Sequence, residues 1–249
     1  MITEGLEVRF GGLVMLGAAS YDSGLTITRF EGWNDGVDGR FDEVDVAGGD
    51  GAFDAPVGLS SRTVTVSGHG RGKSLGELGQ WRDRVTGQVG GPAARPFAAK
   101  ELGETLWAPA QCVRAKFPIF GGLAFADFSM SFWMPKPWKF GDTEAFGNGV
   151  PAFHGGNTGS VPFFRIGGTR PAGYTIAGPG GRALTVSLPV VPGAPHEYDM
   201  STGELTVGGV FVDGGITRGD SWAIPGGGAW AHTISGGGDF TTLLRKVVV

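Results

Sequence analysis

Apolar and polar residues alternate with a period of two along much of the chain, which predicts β-strands. The alternation is clearest in LAFADFSMSFWMP, where apolar positions share one parity and polar positions share the other. These apolar positions are Ala124, Ala126, Phe128, Met130, Phe132 and Met134. CVRAKFPIF predicts a partner strand for this segment, and GLTITRFEGW and SRTVTVSGHG predict two further strands.

One segment, residues 74–86, has a helical pattern instead. Ser74 and Glu77 form the S-x-x-E pattern of a capping box, so we expect the helix to begin at Ser74. Gly87 stands where glycine commonly ends a helix. The face expected to be buried is formed by Leu75, Leu78, Trp81, Arg82 and Val85.

The second half of the chain is predicted to form a separate domain. PKPWKFGDTEAFGNGVP interrupts the alternation with prolines and glycines, so we place a boundary there, between residues 1–145 and 146–249. Short strand candidates follow, separated by turn sequences such as GPGG, STGE and DGG. The candidates are VPFFRIGG, GYTIAG, ALTVSLPVV, HEYDMS, ELTVGGVFV, SWAIP, WAHTISG and FTTLLRKVVV. About eight short strands in ~100 residues predict a β-sandwich.

The glycine content supports a mainly β fold. Glycine supplies 48 of 249 residues, far above the average of about 7%. The glycines follow no G-X-Y period, and 7 Trp and 17 Phe residues argue against disorder. Tight turns between many strands need glycine, because it adopts positive φ without strain. We therefore expect two β-sandwich domains, the first with one short α-helix.

Charge and cysteine content exclude several classes of protein. The formal net charge is -4, from 20 basic and 24 acidic residues with no basic block, so nucleic-acid binding is not expected. The N-terminal segment has no basic leader, and no apolar run approaches the ~18 residues of a membrane span, so neither a signal peptide nor membrane insertion is expected. Cys112 is the one cysteine, which excludes an internal disulfide and favours a buried, inert thiol made in a reducing cytoplasm.

The sequence SGHGRGKSLGEL raises the question of a phosphate-binding loop. Gly72, Lys73 and Ser74 match the end of the pattern G-x-x-x-x-G-K-[ST], but Ser67 stands where its first glycine belongs. Such a loop also belongs to a parallel α/β sheet, whereas this chain offers one good helix. The favoured interpretation is a connection from strand to helix in which Ser74 is the N-cap.

Acidic residues offer two candidate sites. A weak cation site is one interpretation of a cluster between residues 35 and 54, and turn and strand-edge aspartates are the favoured one. The cluster contains Asp35, Asp38, Asp42, Glu43, Asp45, Asp50 and Asp54. Asp127 and Asp199 are candidate carboxylates for glycoside hydrolysis. Solvent-facing strand aspartates are the favoured alternative.

Histidine and tryptophan give no clear site. The histidines lack metal-ligand spacing and are expected in loops or at strand edges; they are His69, His154, His196 and His232. Exposed tryptophans stack on sugars in lectins, although core and interface packing are more common uses. The candidates are Trp133, Trp138, Trp222 and Trp230. No G-x-S-x-G elbow occurs. We predict no catalytic, metal-binding or cofactor-binding residue, and no cofactor.

The order of these segments resembles that of the distal tail proteins of siphophages, over nearly the whole chain. In the first half the similarity lies in three places: the segment from GLTITRFEGW to RTVTVSG, the predicted helix after it that ends in WRDRV, and FADFSMSFWMPKPWKFG. In the second half it lies in HGGNTGSVPFFRIGGT, YDMSTGELTVGG and SWAIPGGGAWAHTISGGG. Each motif is weak alone, and their order over ~220 residues carries the resemblance.

The resemblance implies a structural virion protein without a catalytic centre. Its first domain would form a ring of copies, usually a hexamer, and its second would be a galectin-like sandwich. The ring would join the tail-tube protein to the tail-tip hub and receptor-binding proteins, at the tail tip of a virion assembled in the host cytoplasm. We expect segments 45–56 or 87–97 to reach across the ring interface. A carbohydrate-binding β-sandwich is the alternative function, and a glycosidase is a third.

Overall fold

The structure, a computed structural model, describes residues 5–17, 23–41, 44–45, 50, 52–53, 56–121 and 124–249. The chain divides into two compact units, unit 1 (Met1–Lys139 with Val249) and unit 2 (Phe140–Val248). The fold is mainly β with one α-helix among the described residues, as the sequence predicted. The division falls after Lys139, whereas the sequence placed the boundary at 145–146, which lies inside a strand.

Unit 1 is built around one sheet that closes on itself. Its strands are β1 (Glu7–Phe10), β2 (Leu13–Gly17), β3 (Gly24–Glu31), β4 (Gly39–Phe41), β5 (Val44–Asp45), β6 (Ala52–Phe53), β7 (Pro56–Leu59), β8 (Arg62–Arg71), β9 (Arg95–Glu101), β10 (Glu104–Lys116) and β11 (Phe125–Met134). The main sheet has the order β11-β8-β3-β2-β1-β9-β10, and β10 also pairs with β11. That last pairing, which the sequence predicted, closes the sheet.

The inward residues of this closed sheet form the core of unit 1. Along β11 the predicted parity is confirmed, since its alternate residues from Ala126 to Met134 are buried. Phe97 lies at the centre of an aromatic cluster, with ring centroids 4.8 Å from Phe132 and 5.3 Å from Trp33. Where β3 approaches β8, a Cβ on Gly68 would lie 1.9 Å from the Thr26 carbonyl oxygen. Only glycine fits there, so close strand approach explains one of the many glycines.

The helix of unit 1, α1 (Leu75–Thr86), follows the sequence prediction closely. Ser74 is its N-cap, with the side-chain oxygen accepting a hydrogen bond from the Glu77 backbone N–H, and Gly87 is its C-cap residue. Leu78 and Val85 are buried against the sheet. The predicted apolar face is too wide, because Leu75 at the helix start is 58% exposed.

Gly79 in the middle of α1 gives a stability prediction. A Cβ there meets nothing within 4 Å, so Gly79→Ala should raise the free energy of unfolding by roughly 0.5–1 kcal/mol by restricting the unfolded chain. Gly72→Ala is the contrasting variant, because its Cβ would lie 2.7 Å from the Leu78 backbone nitrogen and should destabilise the protein. Urea denaturation of both variants tests this pair, and a destabilised Gly79→Ala would contradict it.

Unit 2 is a sandwich of two main sheets. Its strands are β12 (Lys139–Gly147), β13 (Pro151–Phe153), β14 (Phe163–Ile166), β15 (Tyr174–Ala177), β16 (Ala183–Val186), β17 (His196–Asp199), β18 (Glu204–Val207), β19 (Val210–Phe211), β20 (Ile216–Gly219), β21 (Ala229–Ala231), β22 (Thr233–Ile234) and β23 (Phe240–Val248), and Pro179–Gly181 forms a 3₁₀ turn. One sheet runs β12-β23-β14-β17-β18-β19, and the other runs β20-β16-β15-β22. The pair β13-β21 is separate.

The core of unit 2 takes residues from both sheets. Phe164 and Tyr198 come from one sheet, and Ile176 and Leu184 from the other. Two sequence expectations were wrong in detail. The segment taken as a break contains β12, a nine-residue strand, and SWAIP forms only an isolated bridge between Ile224 and Ser160. The galectin-like character stays a prediction.

Candidate functional site

The loop before α1 is occupied by the protein's own groups. The Glu77 carboxylate accepts hydrogen bonds from the Lys73 backbone N–H at 2.6 Å and from the Ser23 hydroxyl at 2.7 Å. These two hydrogen bonds, that of Ser23 first, hold the pKa of Glu77 below its ordinary value. A carboxylate thus sits where a phosphate would bind, which supports the interpretation of Gly72, Lys73 and Ser74 as a strand-to-helix connection.

The predicted acidic cluster is only partly visible. Asp42, Glu43 and Asp54 lie outside the described residues, and Asp45 is described only as part of β5. Asp35 accepts a hydrogen bond from the Gly32 backbone N–H at 3.0 Å, which is turn chemistry. Among the described parts of the chain, no three His, Cys, Asp or Glu side chains converge in a way that suits a metal ion.

The two candidate carboxylates for hydrolysis each have a local partner. Asp127 Oδ1 lies 2.7 Å from His69 Nδ1, in register across β11 and β8, with both side chains 46% exposed. Asp199 Oδ1 accepts hydrogen bonds from the backbone N–H and the hydroxyl of Ser201 at 2.8 and 2.6 Å. One carboxylate lies in unit 1 and the other in unit 2. The structure therefore places Asp127 beside a surface histidine and Asp199 in a turn.

Three of the four histidines are buried, although His154 and His232 lie outside the strands, as expected, directly after β13 and β21. His154, His196 and His232 in unit 2 are at most 1% exposed, whereas His69 is on the surface of β8. Burial first of all lowers the pKa of each of the three, to about 4 for His232. The sequence did carry a signal, because His196 shares the inward parity of Tyr198 in β17.

Tryptophan is divided between core and surface. Trp222 is 4% exposed and donates its indole N–H to His232 Nε2 at 3.0 Å, so it is removed as a candidate for sugar stacking. Trp133, Trp138 and Trp230 expose 37–38% of their surface. These three remain able to make contact with another molecule.

A surface patch on unit 1 combines exposed apolar groups with a small cavity. We call it the β10 patch and define it by Val89, Arg95, Gln111, Val113 and Trp133. All but Trp133 line a cavity of about 230 Å³, and Trp133 on β11 stands opposite Gln111. Val89 is 44% exposed and Val113 is 51% exposed, so the patch presents apolar surface to solvent.

Arg95 holds the β10 patch in place, and Cys112 lines the same cavity. Arg95 donates to the Gln88 carbonyl oxygen at 3.0 Å, and its guanidinium lies 4.5 Å from the centre of the Phe10 ring. Cys112, on the cavity wall, is 4% exposed, and burial raises the pKa of its thiol. The prediction of a buried cysteine is confirmed, and the patch as a whole was missed because its members lie far apart in sequence.

Unit 1 also buries two cations that sequence reasoning missed. Arg62 and Lys139 are each 4% exposed, and both donate to the Trp33 carbonyl oxygen, at 2.9 and 2.8 Å. Burial, then the charge of Arg62, lowers the pKa of Lys139 to about 8. Arg62 shares the inward parity of Val64 and Val66, which was the available signal. The pair fixes the turn after β3 by satisfying its carbonyl groups.

Comparisons with known proteins agree with the fold. No protein-family model and no curated protein matches the sequence. Among solved structures, the crystal structure of the SPP1 Dit (gp 19.1) protein, described as a paradigm of the hub adsorption apparatus in phages that infect Gram-positive bacteria, matches with TM-score 0.76 at 14% identity, over 98% of this chain and 99% of that one. Two structures of the phage P2 baseplate in its activated conformation, with Ca and with Sr, match with TM-score 0.53 at 7% and 8% identity, each over 97% of both chains. No helix in the described parts of the chain is long and apolar enough to cross a membrane. The chain therefore has, from end to end, the fold of the phage Dit protein that the order of its motifs resembles.

Proposed function

We propose that this protein is a structural component of a phage tail tip, forming a ring at the distal end of the tail tube and joining it to the hub. The observation that carries the proposal is the structural match to SPP1 Dit, which includes both units and covers 98% of this chain and 99% of that one. A match of one domain would support only a shared module. The function needs no catalytic centre and no cofactor.

The closed sheet of unit 1 suggests how copies would meet. Among the described residues, β10 and β11 pair over Gln111–Lys116, which leaves less strand edge open to a neighbour. A cyclic ring needs two different surfaces of each copy in contact, and we expect side-chain and loop surfaces to supply them.

The β10 patch is our proposal for one of these two surfaces. It includes part of segment 87–97, which the sequence suggested as an interface segment; most of the other suggested segment, 45–56, lies outside the described residues. Tryptophan and arginine, which lie beside the exposed valines here, are enriched at protein interfaces and among the residues that contribute most to binding. A neighbour's side chain in the cavity would cover Val89 and Val113.

Native mass spectrometry of the purified protein tests the ring, starting from the monomer mass of 25.8 kDa. We expect hexamers, or rings of six visible by negative-stain microscopy once tail-tube protein is added. A monomer that never forms rings, with or without tail-tube protein, would overturn the ring proposal. If such a monomer bound sugars on a glycan array, the carbohydrate-binding alternative would replace it.

The contact surface has its own test. Val89→Glu and Val113→Glu together should abolish the ring while leaving circular dichroism and thermal stability near those of the parent, since both side chains are exposed. Val210→Glu is the matched control, because Val210 is a 67% exposed valine in unit 2. Rings that persist in the double variant would remove the β10 patch from the interface without affecting the proposed function.

A further inference from the structure

The hydrogen bonds of His232 fix its protonation state. An indole N–H only donates, so His232 Nε2, 3.0 Å from Trp222 Nε1, must be a bare acceptor. The proton of the neutral ring therefore lies on Nδ1, which faces the Thr242 hydroxyl at 3.3 Å. A second proton on Nε2 would place two N–H groups against each other in a buried site.

His154 is also a hydrogen-bond acceptor at Nε2, and it contacts the same strand as His232, namely β23. Its Nε2 accepts a hydrogen bond from the Val247 backbone N–H at 3.0 Å, a donor that cannot become an acceptor. Val247 and Thr242 both belong to β23, which lies between β12 and β14 in the sheet. His154 thus holds β23 only while its Nε2 is unprotonated. Protonation of His232 keeps the Nδ1 donor to Thr242 but removes the Trp222 hydrogen bond and places a charge in a buried site.

Among the described residues around His154 and His232, no negative charge favours a protonated ring. Around His232 the described partners are the Trp222 indole, the Thr242 hydroxyl and the edge of the Phe164 ring, and burial alone lowers its pKa. For His154 the charged neighbour is Lys246, whose positive charge adds to the effect of burial, while the Pro225 backbone offsets part of it.

We propose that unit 2 contains an acid-responsive latch, in which protonation of His154 and His232 in mildly acidic solution releases β23 and opens unit 2 while unit 1 stays folded. The inference does not depend on the proposed tail function. Unit 1 lacks a buried counterpart, because His69 is its one histidine and lies on the surface beside Asp127. The response is therefore confined to one unit.

The sign and size of the response follow from linkage. The folded state binds fewer protons than the open state, so stability is complete above the ordinary histidine pKa near 6.5 and falls as pH decreases below it. With the folded pKa of His232 at about 4, lowering the pH from 7 to 4.5 should increase the opening equilibrium about 60-fold through this residue alone. His154 adds to that increase.

Hydrogen–deuterium exchange of the full-length protein, read peptide by peptide between pH 7 and 4.5 with correction for intrinsic exchange, tests the latch. We expect peptides covering β14 and β23 to lose protection while those covering β8 and β11 keep it. The double variant His154→Gln with His232→Gln preserves the acceptor and donor pattern without a titratable ring. In this variant the pH-dependent increase in opening should be smaller than in the parent by a factor of at least about 60. The remaining response would belong to His196.

A control variant and two contradicting results complete the test of the latch. His69→Gln should behave as the parent, because His69 is exposed. Simultaneous loss of protection in both units, or a double variant with the parent's full response, would overturn the proposal. If the double variant does not fold, NMR of the histidine rings in the parent decides: a neutral His232 with its proton on Nδ1 down to a pH near 5 is required, and a ring that titrates near 6.5 without opening refutes the latch.

Discussion

Replacing Phe97 by alanine should lower the free energy of unfolding of unit 1 by about 3–5 kcal/mol. Phe97 is fully buried, and its ring meets those of Phe10, Phe30, Trp33 and Phe132. The truncation removes buried apolar area and leaves a cavity that rigid neighbouring strands cannot fill. It also removes aromatic pair contacts, each worth roughly 0.5–1.5 kcal/mol.

Equilibrium urea denaturation, with hydrogen exchange of peptides from β8 and β9 to assign the change to unit 1, measures this effect. Phe120→Ala is the matched control, since that ring is 44% exposed and its loss should cost less than about 1 kcal/mol. Similar losses for the two variants would show that the aromatic cluster is not the stabilising centre of unit 1.

Trp222→Ala should destabilise unit 2 by a similar amount, about 3–5 kcal/mol. The ring is buried between Phe164 and His232, with centroids 6.0 and 5.9 Å away. Its face also lies against Gly178, where a Cβ would come within 2.9 Å of the indole. The alanine variant loses this packing and leaves His232 Nε2 buried without its donor.

Trp222→Phe separates the two contributions. It keeps most of the apolar volume but removes the indole N–H, so the cost should be about 1–3 kcal/mol, the price of an unpaired buried polar group. Trp138→Ala is the surface control, because Trp138 is 38% exposed. If Trp222→Phe and Trp222→Ala lower the free energy of unfolding by the same amount, the hydrogen bond, and not packing, dominates at this site.

The parts of the fold that the sequence predicted are those determined by near neighbours. The helix start was predictable because Ser74 accepts from the Glu77 backbone N–H while the Glu77 carboxylate accepts from the Lys73 backbone N–H, all within one turn. The strand β11 was predictable because every second residue is apolar and one face is buried. In β12 this signal fails, since prolines precede it and most of its later residues, such as Glu144, are exposed.

The candidate sites depended on contacts that sequence does not show. Val89 lies outside the strands and Val113 lies on β10, and the β-bridge between Val89 and Cys112 brings them together. Polar residue type also misled: histidine is usually partly exposed, yet His154 and His232 are core residues here because each finds a backbone or indole donor. The burial of Arg62 could have been predicted, because it occupies an inward-facing position in the alternation of its strand.

The closure of the main sheet in unit 1 has a consequence for the order of events during synthesis. Residues near position 10 pair with residues near position 97, and β8 pairs with β11 after the helix and two further strands have intervened. Such distant pairings carry a large loop-closure cost before any contact repays it, so folding should be slow for a domain of this size. Until β11 has left the ribosome, the nascent chain exposes unpaired strands that invite chaperones. The main sheet of unit 1 can therefore close only after β11 has been synthesised.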